Sequence, residues 1–525
     1  MPALHFDTIQ RLFKFVVPNV TLLLYCAVVI MGAVSHEQLW DEAQAWLIAR
    51  DTPLVSLFTQ ELRYEGHPPL WYLILAVPAK LGLPYWWMKV IGALAGAVTA
   101  FLLLFAFPRV PLYVRVLAPF AFFIAYRYSV VARSYILLFP IMLLIAWMYG
   151  RRSERPGLFA LLLILLSMVS VHGFAIACGL AALFAFEMWR GRIPAPPRRA
   201  FRIGAGAFVL SSVLLVLTLW PPRDLTSSIH TYSIVSPARH SQLVTLVVPA
   251  LFWTGLEDDD PFVAVTKVAA ALLGLTLLVA WILRSGAGAP FAIGMLAVYA
   301  ISLRYFSNWH EGIFFLILLF GAILAFEKDA APRWLRVAGQ LVLLLLLLRH
   351  AQWTFQSLAY EIHAQSTGSA RAAEFIRANG LDNQFDKGVL YGTGGAVVEI
   401  QPYFASNIFD NYTLEGRTYW DFSSRNPWPY VAFTPASEEA MTRFLDRILA
   451  EQPEYLVYGP GILEDKLYGP RLFGNPNYRR IATFKGTTFW KDAPRWDVDY
   501  HVFRRITPAK PSDILLASVP RSGAR

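Results

Sequence analysis

Long blocks without a charged residue dominate the chain, in place of strand-like alternation or a one-sided helical stripe. Near-continuous apolar runs at 16–34, 201–220, 263–283 and 312–326 approach the roughly 20 residues that a helix needs to cross a bilayer. Full spans are predicted near 16–34, 86–107, 112–131, 134–149, 157–171, 173–189, 203–220, 261–283, 289–303, 312–326 and 334–348, about eleven in all. Two further apolar stretches, 68–83 and 243–256, are short. With a cytoplasmic N-terminus and neither short stretch crossing, the Arg-rich loops 151–155, 190–202, Arg284 and 328–336 all fall inside, as the positive-inside rule asks. Letting only 68–83 cross puts all of those loops outside, so both stretches are read as interfacial or re-entrant helices on the outer side. The first run follows Arg11 and Lys14 in the manner of a signal peptide, but it is long and ends in Ser35-His36-Glu37. Without a small-x-small cleavage site it reads as an uncleaved signal anchor.

Beyond about 350 the pattern becomes polar and mixed. Helical spacing over 366–379 ends at Gly380, and a second amphipathic helix is predicted over 437–450, opened by Ser437. Short strands are predicted at 389–391, 407–409, 455–458, 478–484, 488–490 and 499–506. The expected fold is therefore a polytopic α-helical membrane module over 1–349, followed by an extracytoplasmic α/β domain over 350–525.

Composition agrees: 56% of the 525 residues are hydrophobic and only 16% charged, with mean hydropathy +0.46. Globular domains carry about a quarter charged residues, so an ordinary soluble enzyme is excluded. The formal charge of +10 is split among short loops and forms no continuous basic face, which argues against a nucleic-acid partner. Cys26 and Cys178 lie inside apolar runs and read as small buried residues, neither a disulfide framework nor a metal site. Compact loops without eukaryotic sorting signals point to a bacterial inner membrane with the C-terminal domain in the periplasm, where the sequon Asn411-Tyr412-Thr413 carries no meaning.

Candidate chemistry gathers in the outer loops. The first, 35–85, holds Asp41, Glu42, Glu61, Glu65 and His67; another, 221–260, holds Arg223, Asp224, His230, Arg239, His240 and Glu257-Asp258-Asp259-Asp260. Trp40, Ala43, Trp46 and Leu47 share one helical face and Pro53 ends the run, which predicts an interfacial amphipathic helix over 40–51. Asp41 and Glu42 stand at its start, where free N–H groups and the helix dipole stabilise a carboxylate. That setting suits a general base, and it suits a simple cap as well. Downstream, Arg63-Tyr64-Glu65-Gly66-His67-Pro68-Pro69-Leu70-Trp71-Tyr72 puts Glu65 and His67 just above a Pro-Pro helix start.

An Asp-Glu pair soon after the first span, then His-Pro-Pro-Leu-Trp-Tyr leading into an apolar helix, resembles the GT-C membrane glycosyltransferases. The branch is that of the dolichyl-phosphate-mannose protein mannosyltransferases and the bacterial aminoarabinose transferases of lipid A. The resemblance implies a polyprenyl-phosphate-linked sugar donor, inverting transfer on the outer face of the membrane, and an Asp base in the first outer loop. That role maps onto Asp41, with Glu42 as the fallback, while Glu65 and His67 orient sugar or acceptor hydroxyls. It also directs attention to the second outer loop, Tyr126-Arg127-Tyr128-Ser129-Val130-Val131-Ala132-Arg133-Ser134-Tyr135. Arg133 there suits a phosphate grip and equally suits snorkelling among belt tyrosines. Arg304 and His310 lie at a further outer boundary against the positive-inside trend, where either would neutralise a departing lipid phosphate.

The tail is unlike the family's best-known C-terminal domains, so a glycan, a lipid and a protein all stand as acceptors. No cofactor is expected: related oligosaccharyltransferases use a divalent cation, but no His/Cys/Asp set here has metal spacing, and 257–260 reads as a solvated acidic turn. His172 is read as a surface-facing loop residue, Gly392-Thr393-Gly394-Gly395 as a tight turn, and Gly92-x-x-x-Gly96 as a close helix contact. Two other functions stay in play. A transporter or flippase of a lipid-linked sugar fits the spans, though no inverted repeat is present; a non-catalytic scaffold fits the tail but leaves the acidic and histidine residues unexplained.

Overall fold

The computed structural model describes residues 2–226, 237–254, 260–328, 330–382, 389–393, 395–411, 417–426, 435–459 and 462–506. His230, Glu257, Asp258, Asp259, Gly394, Tyr412 and Thr413 lie outside the described residues.

The membrane module starts with α1 (Pro2–Ser35). The loop after α1, expected on the outer side, folds as α2 (Trp40–Asp51), α3 (Leu54–Ser56), a π turn over Leu57–Glu61, α4 (Leu62–Glu65) and α5 (Leu70–Lys80). Then come α6 (Trp87–Phe105), α7 (Leu112–Leu117), α8 (Leu138–Met148), α9 (Pro156–Ser167), α10 (Val171–Trp189) and α11 (Arg198–Leu219). The module closes with α12 (Pro237–Ala250), α13 (Pro261–Ile282), α14 (Gly288–Arg304), α15 (Glu311–Lys328) and α16 (Arg333–His363). Among the described residues eight helical stretches are long and apolar enough to cross a membrane. One of them, Pro261–Arg304, bends at Gly286, whose φ of 87° is open to glycine without a Cβ clash, and so contains both α13 and α14.

Two predicted spans are present in another form. The one near 157–171 is the shorter α9, and the one near 112–131 is broken. There α7 gives way at Pro119, which has no N–H to donate, to a 3-10 turn over Ala118–Phe120 and a π-helical stretch over Phe123–Val130. With these two, and with α13 and α14 counted apart, helices lie at all eleven predicted spans. The short stretches at 68–83 and 243–256 correspond to α5 and α12. α15 is the axis of the bundle: 89% of its most apolar window is buried, against 11% for α11. Outward-facing Leu94, Phe101, Val209, Leu210, Leu214 and Leu273 are exposed, an apolar surface suited to hydrocarbon and unsuited to water. Cys26 and Cys178 are free and half-buried.

The C-terminal domain carries α17 (Ser369–Ala378), β1 (Leu390–Thr393), α18 (Pro435–Glu451), β2 (Tyr455–Tyr458), α19 (Ile462–Phe473), β3 (Tyr478–Phe484), β4 (Thr487–Trp490), β5 (Ala493–Asp497) and β6 (Tyr500–Arg505). Its four-stranded sheet runs β1-β2-β6-β3, parallel between β1 and β2 and antiparallel elsewhere, while β4 and β5 form a separate hairpin. Three expectations need correction. Residues 407–409 form a loop, because the Asn407 carboxamide accepts from Phe409 N–H at 3.0 Å and occupies that backbone locally. α19 was hidden by its internal Gly469-Pro470, and β5 by Pro494 and a lack of alternation.

α16 runs unbroken through the expected boundary at 349/350 to His363. Above that point the domain and the first outer loop share one core, in which Trp46, Leu47, Trp71 and Leu75 cluster with Val397, Val398, Trp420 and Leu456. α2 is consequently buried along Glu42–Ala49 on all its faces. The helix expected over 40–51 is present, but it is a core helix and not an interfacial one: Trp40 on its apolar side donates through Nε1 to Gly395 O at 2.9 Å, and Gln44 exchanges two 2.8 Å hydrogen bonds with the Trp420 backbone.

Candidate active site

α2 begins without a capping side chain at Leu39; Glu42 instead reaches back to accept from Leu39 N–H at 2.9 Å. Its other oxygen accepts from Ala132 N–H at 2.9 Å, and its side chain is fully buried against His36 at 3.0 Å. Capping therefore falls to Glu42. Asp41, one residue earlier, is left to pair with the Arg133 guanidinium, with its side chain 37% exposed against 10% for Arg133. The fallback of Glu42 as base does not suit this geometry, since both oxygens are committed and no solvent reaches them.

Around the Asp41–Arg133 pair the chain places a ring of polar groups. Glu65 ends α4 just before Gly66, which takes a left-handed φ of 65° and turns the chain into His67-Pro68-Pro69. Glu65 accepts from Gln44 Nε2 at 2.8 Å and from the Tyr72 hydroxyl at 3.3 Å. Burial, with the nearby Glu61 adding to it, raises the Glu65 carboxyl to about 8 against the pull of those two hydrogen bonds. It thus keeps its proton at neutral pH. His67 Nδ1 donates to Glu65 O at 2.7 Å, which leaves Nε2 as the outward ring nitrogen. Burial foremost, and Arg133 nearby, hold His67 below its ordinary value and so uncharged.

His310 closes the far side. It is fully buried, its Nδ1 accepts from Ser307 N–H at 2.9 Å, and its Nε2 lies 3.0 Å from the Tyr135 hydroxyl. A neutral ring that accepts at Nδ1 carries its proton on Nε2, so the Tyr135 oxygen accepts and its own O–H is left to donate. The Arg133 guanidinium stands over the Tyr135 and Trp309 rings at 5.8 and 5.5 Å, a cation–π seat that keeps it in place. Arg304 stands apart. It is exposed at the last turn of α14, and it is the next residue, Tyr305, whose ring packs 4.7 Å from His310.

His172 needs correction: it is 2% exposed, at the first turn of α10, with its ring 4.7 Å from that of His310. Beneath Asp41 lies a layer that was not anticipated. His36 is gripped between Glu42 at 3.0 Å and Glu361 at 2.9 Å, and Glu361 also accepts from the Tyr126 and Ser366 hydroxyls at 2.7 and 2.8 Å. Burial opposes a charge on His36, but the two carboxylates outweigh it and raise the imidazole to about 9. The signal for Glu361 was a polar stripe at 350, 354, 357 and 361, helical spacing carried past the end of the last apolar run. Among the described residues no three His, Cys, Asp or Glu side chains are grouped to hold a metal ion.

No family model and no curated protein matches the chain. Among solved structures it is similar to the crystal structure of ArnT from Cupriavidus metallidurans bound to undecaprenyl phosphate. The identity is 12% and the TM-score 0.48, over 91% of this chain and 97% of that one.

Proposed function

We propose that the chain is a GT-C-type membrane glycosyltransferase that moves a sugar from a polyprenyl-phosphate-linked donor to an acceptor on the outer face of the bacterial inner membrane, with inversion. The observation that carries this reading is Asp41: an accessible carboxylate relieved of capping by Glu42, oriented by Arg133, and set beside Glu65 and His67. On this reading the lipid phosphate approaches Arg133, and the sugar hangs toward Asp41. The Asp41 carboxylate takes the proton of an acceptor hydroxyl, that oxygen bonds to the anomeric carbon, and the bond from carbon to phosphate oxygen breaks with its electron pair leaving on the polyprenyl phosphate. Such a leaving group needs no general acid, so one base suffices. Arg133, itself nearly buried, meets the phosphate charge as it grows. Protonated Glu65 and neutral His67 bond to hydroxyls of sugar or acceptor. Glu42 keeps α2 in place, and Arg304 has no part in the chemistry.

In this reading the polar groups sit at the outer boundary of the module, which suits interfacial chemistry better than carriage across a bilayer. Incubating the purified protein with polyprenyl-phosphate sugars and assaying free polyprenyl phosphate tests it. Asp41→Asn is expected to lower turnover by roughly 10²–10⁴-fold, the ordinary worth of a general base, with the helical circular dichroism unchanged. A transporter or scaffold would release no polyprenyl phosphate in either form.

A further inference from the structure

α10 opens on the outer side with Ser170 as its cap, whose hydroxyl accepts from Gly173 N–H at 3.0 Å. The backbone N–H groups of Val171 and His172, ahead of that bond, have no partner within the helix, and the positive end of a 19-residue helix points the same way. A helix start alone is common. Here it is joined by an imidazole that is 2% exposed and whose Nε2 is sealed from solvent with no hydrogen-bond partner. Buried polar atoms are nearly always satisfied, so an orphan at this place points to a group that arrives later.

The surroundings say what kind of group. The His172 ring lies 4.7 Å from that of His310, and the turn before α10 is tied to the first outer loop by Leu70 N–H donating to Met168 O at 2.9 Å. That tie sets His172 beside His67-Pro68-Pro69. His67, His172 and Arg133 all lie within electrostatic reach of His310. The Tyr135 hydroxyl proton and the guanidinium edge of Arg133 turned away from Asp41 face no carboxylate among the described contacts. The outward Nε2 of neutral His67 is an acceptor; the Tyr135 hydroxyl, the Arg133 guanidinium and the amides of the first turn of α10 are donors, and such a group of donors is the chemistry of an anion seat.

We infer that His172 and the first turn of α10 hold the phosphate of the polyprenyl donor, with His172 Nε2–H and the Val171 and His172 amides donating to its non-bridging oxygens. The assignment rests on the glycosyltransferase reading above and adds to it a phosphate ligand from an element that the sequence motifs did not touch. It also places the phosphate between Arg133 and α10, so that Arg133 bridges the donor and the base.

The test is binding of undecaprenyl phosphate, without a sugar, to the purified full chain in nanodiscs. Wild type is compared with His172→Phe, which keeps the ring and loses both nitrogens, and with His172→Gln, which keeps a donor. The Phe variant is expected to weaken binding tenfold or more and to raise the donor KM with a smaller change in kcat, while Gln stays within about threefold. Should the Phe variant fail to fold, imidazole ¹⁵N spectra of the wild type decide: a His172 resonance, assigned with the Gln variant, shifts when undecaprenyl phosphate is added. Equal binding by folded wild-type and Phe proteins, or an unmoved His172 resonance at saturation, overturns the assignment while leaving the glycosyltransferase reading intact. No binding by folded wild type overturns both.

Discussion

Asp41 and Glu42 differ by one methylene and one position, yet successive side chains on a helix diverge by about 100°, and that rotation separates their tasks. Glu42 faces inward to the Leu39 and Ala132 amides and His36; Asp41 faces the crevice and Arg133. Glu42→Gln is expected to cost about 3–5 kcal/mol of stability, because it strips one partner from a buried charge, whereas Asp41→Asn should cost less, because Asp41 is 37% exposed and the new carboxamide oxygen still accepts from Arg133; thermal unfolding of both variants checks this. Glu65 gives a pH signature. Its carboxyl titrates at about 8, so transfer should decline as pH rises through that value and places a buried charge beside Asp41 and Glu61. Glu65→Gln, which imitates the protonated acid, should retain activity and lose that alkaline decline in a pH–rate profile. His36 acts on stability. A folded value raised to about 9 from the ordinary 6.5 stabilises the fold fully below 6.5, and the contribution is lost as pH rises through 9. Thermal midpoints should therefore fall across that window, and less steeply in His36→Gln.

At the scale of elements, the β4–β5 hairpin decides how the C-terminal domain grips the helical module. Its tip pushes Lys491, in a left-handed φ of 62°, into a buried site where Nζ donates to Glu311 at 2.7 Å and Ala250 O at 2.6 Å and sits 4.6 Å over Trp353. Asp492 beside it accepts from Arg349 at 3.0 Å and Thr254 at 2.7 Å. One hairpin so ties α12, α15 and α16 together, and Glu311 is the residue after His310. Lys491→Met is expected to destabilise by about 3–5 kcal/mol through the orphaned Glu311. Adding Glu311→Gln should recover a good part of that loss, and a double-mutant thermal cycle measures the coupling. None of this was legible in the sequence, where Lys491 and Glu311 lie 180 residues apart. The spans were legible because a bilayer demands apolar length. Strand 455–458 was legible because Tyr-Leu-Val-Tyr is an unbroken apolar and aromatic run. The α16 extension was not, since its buried residues past 349 mix His350, Thr354, Ser357 and Glu361 with Trp353 and Leu358 and give no continuous hydropathy signal. Among the candidate-site residues, Asp41, Glu65, His67, Arg133 and His310 were singled out from motif and boundary position, and they lie together in the fold; His172 was misplaced because one histidine between two apolar runs looks the same in a loop as in a buried turn.

For the whole molecule, the working division runs less along the chain than across it. The segment 40–85 and the C-terminal domain form one core at one end of the bundle, and the candidate site opens at α2, where that core meets the helices. A fragment of 364–525 alone should therefore lack a closed core and bind a hydrophobic dye strongly, whereas a folded fragment with native-like proteolytic resistance would count against a shared core. In the proposed function Asp41 drives glycosyl transfer from a lipid carrier, and mass spectrometry of envelope lipids and polysaccharides from cells with wild-type protein, no protein or Asp41→Asn puts that role to the test. A glycan lost equally without the protein and with Asp41→Asn is the expected result, and it would identify the acceptor. A glycan lost without the protein but intact with Asp41→Asn would contradict Asp41 as the base.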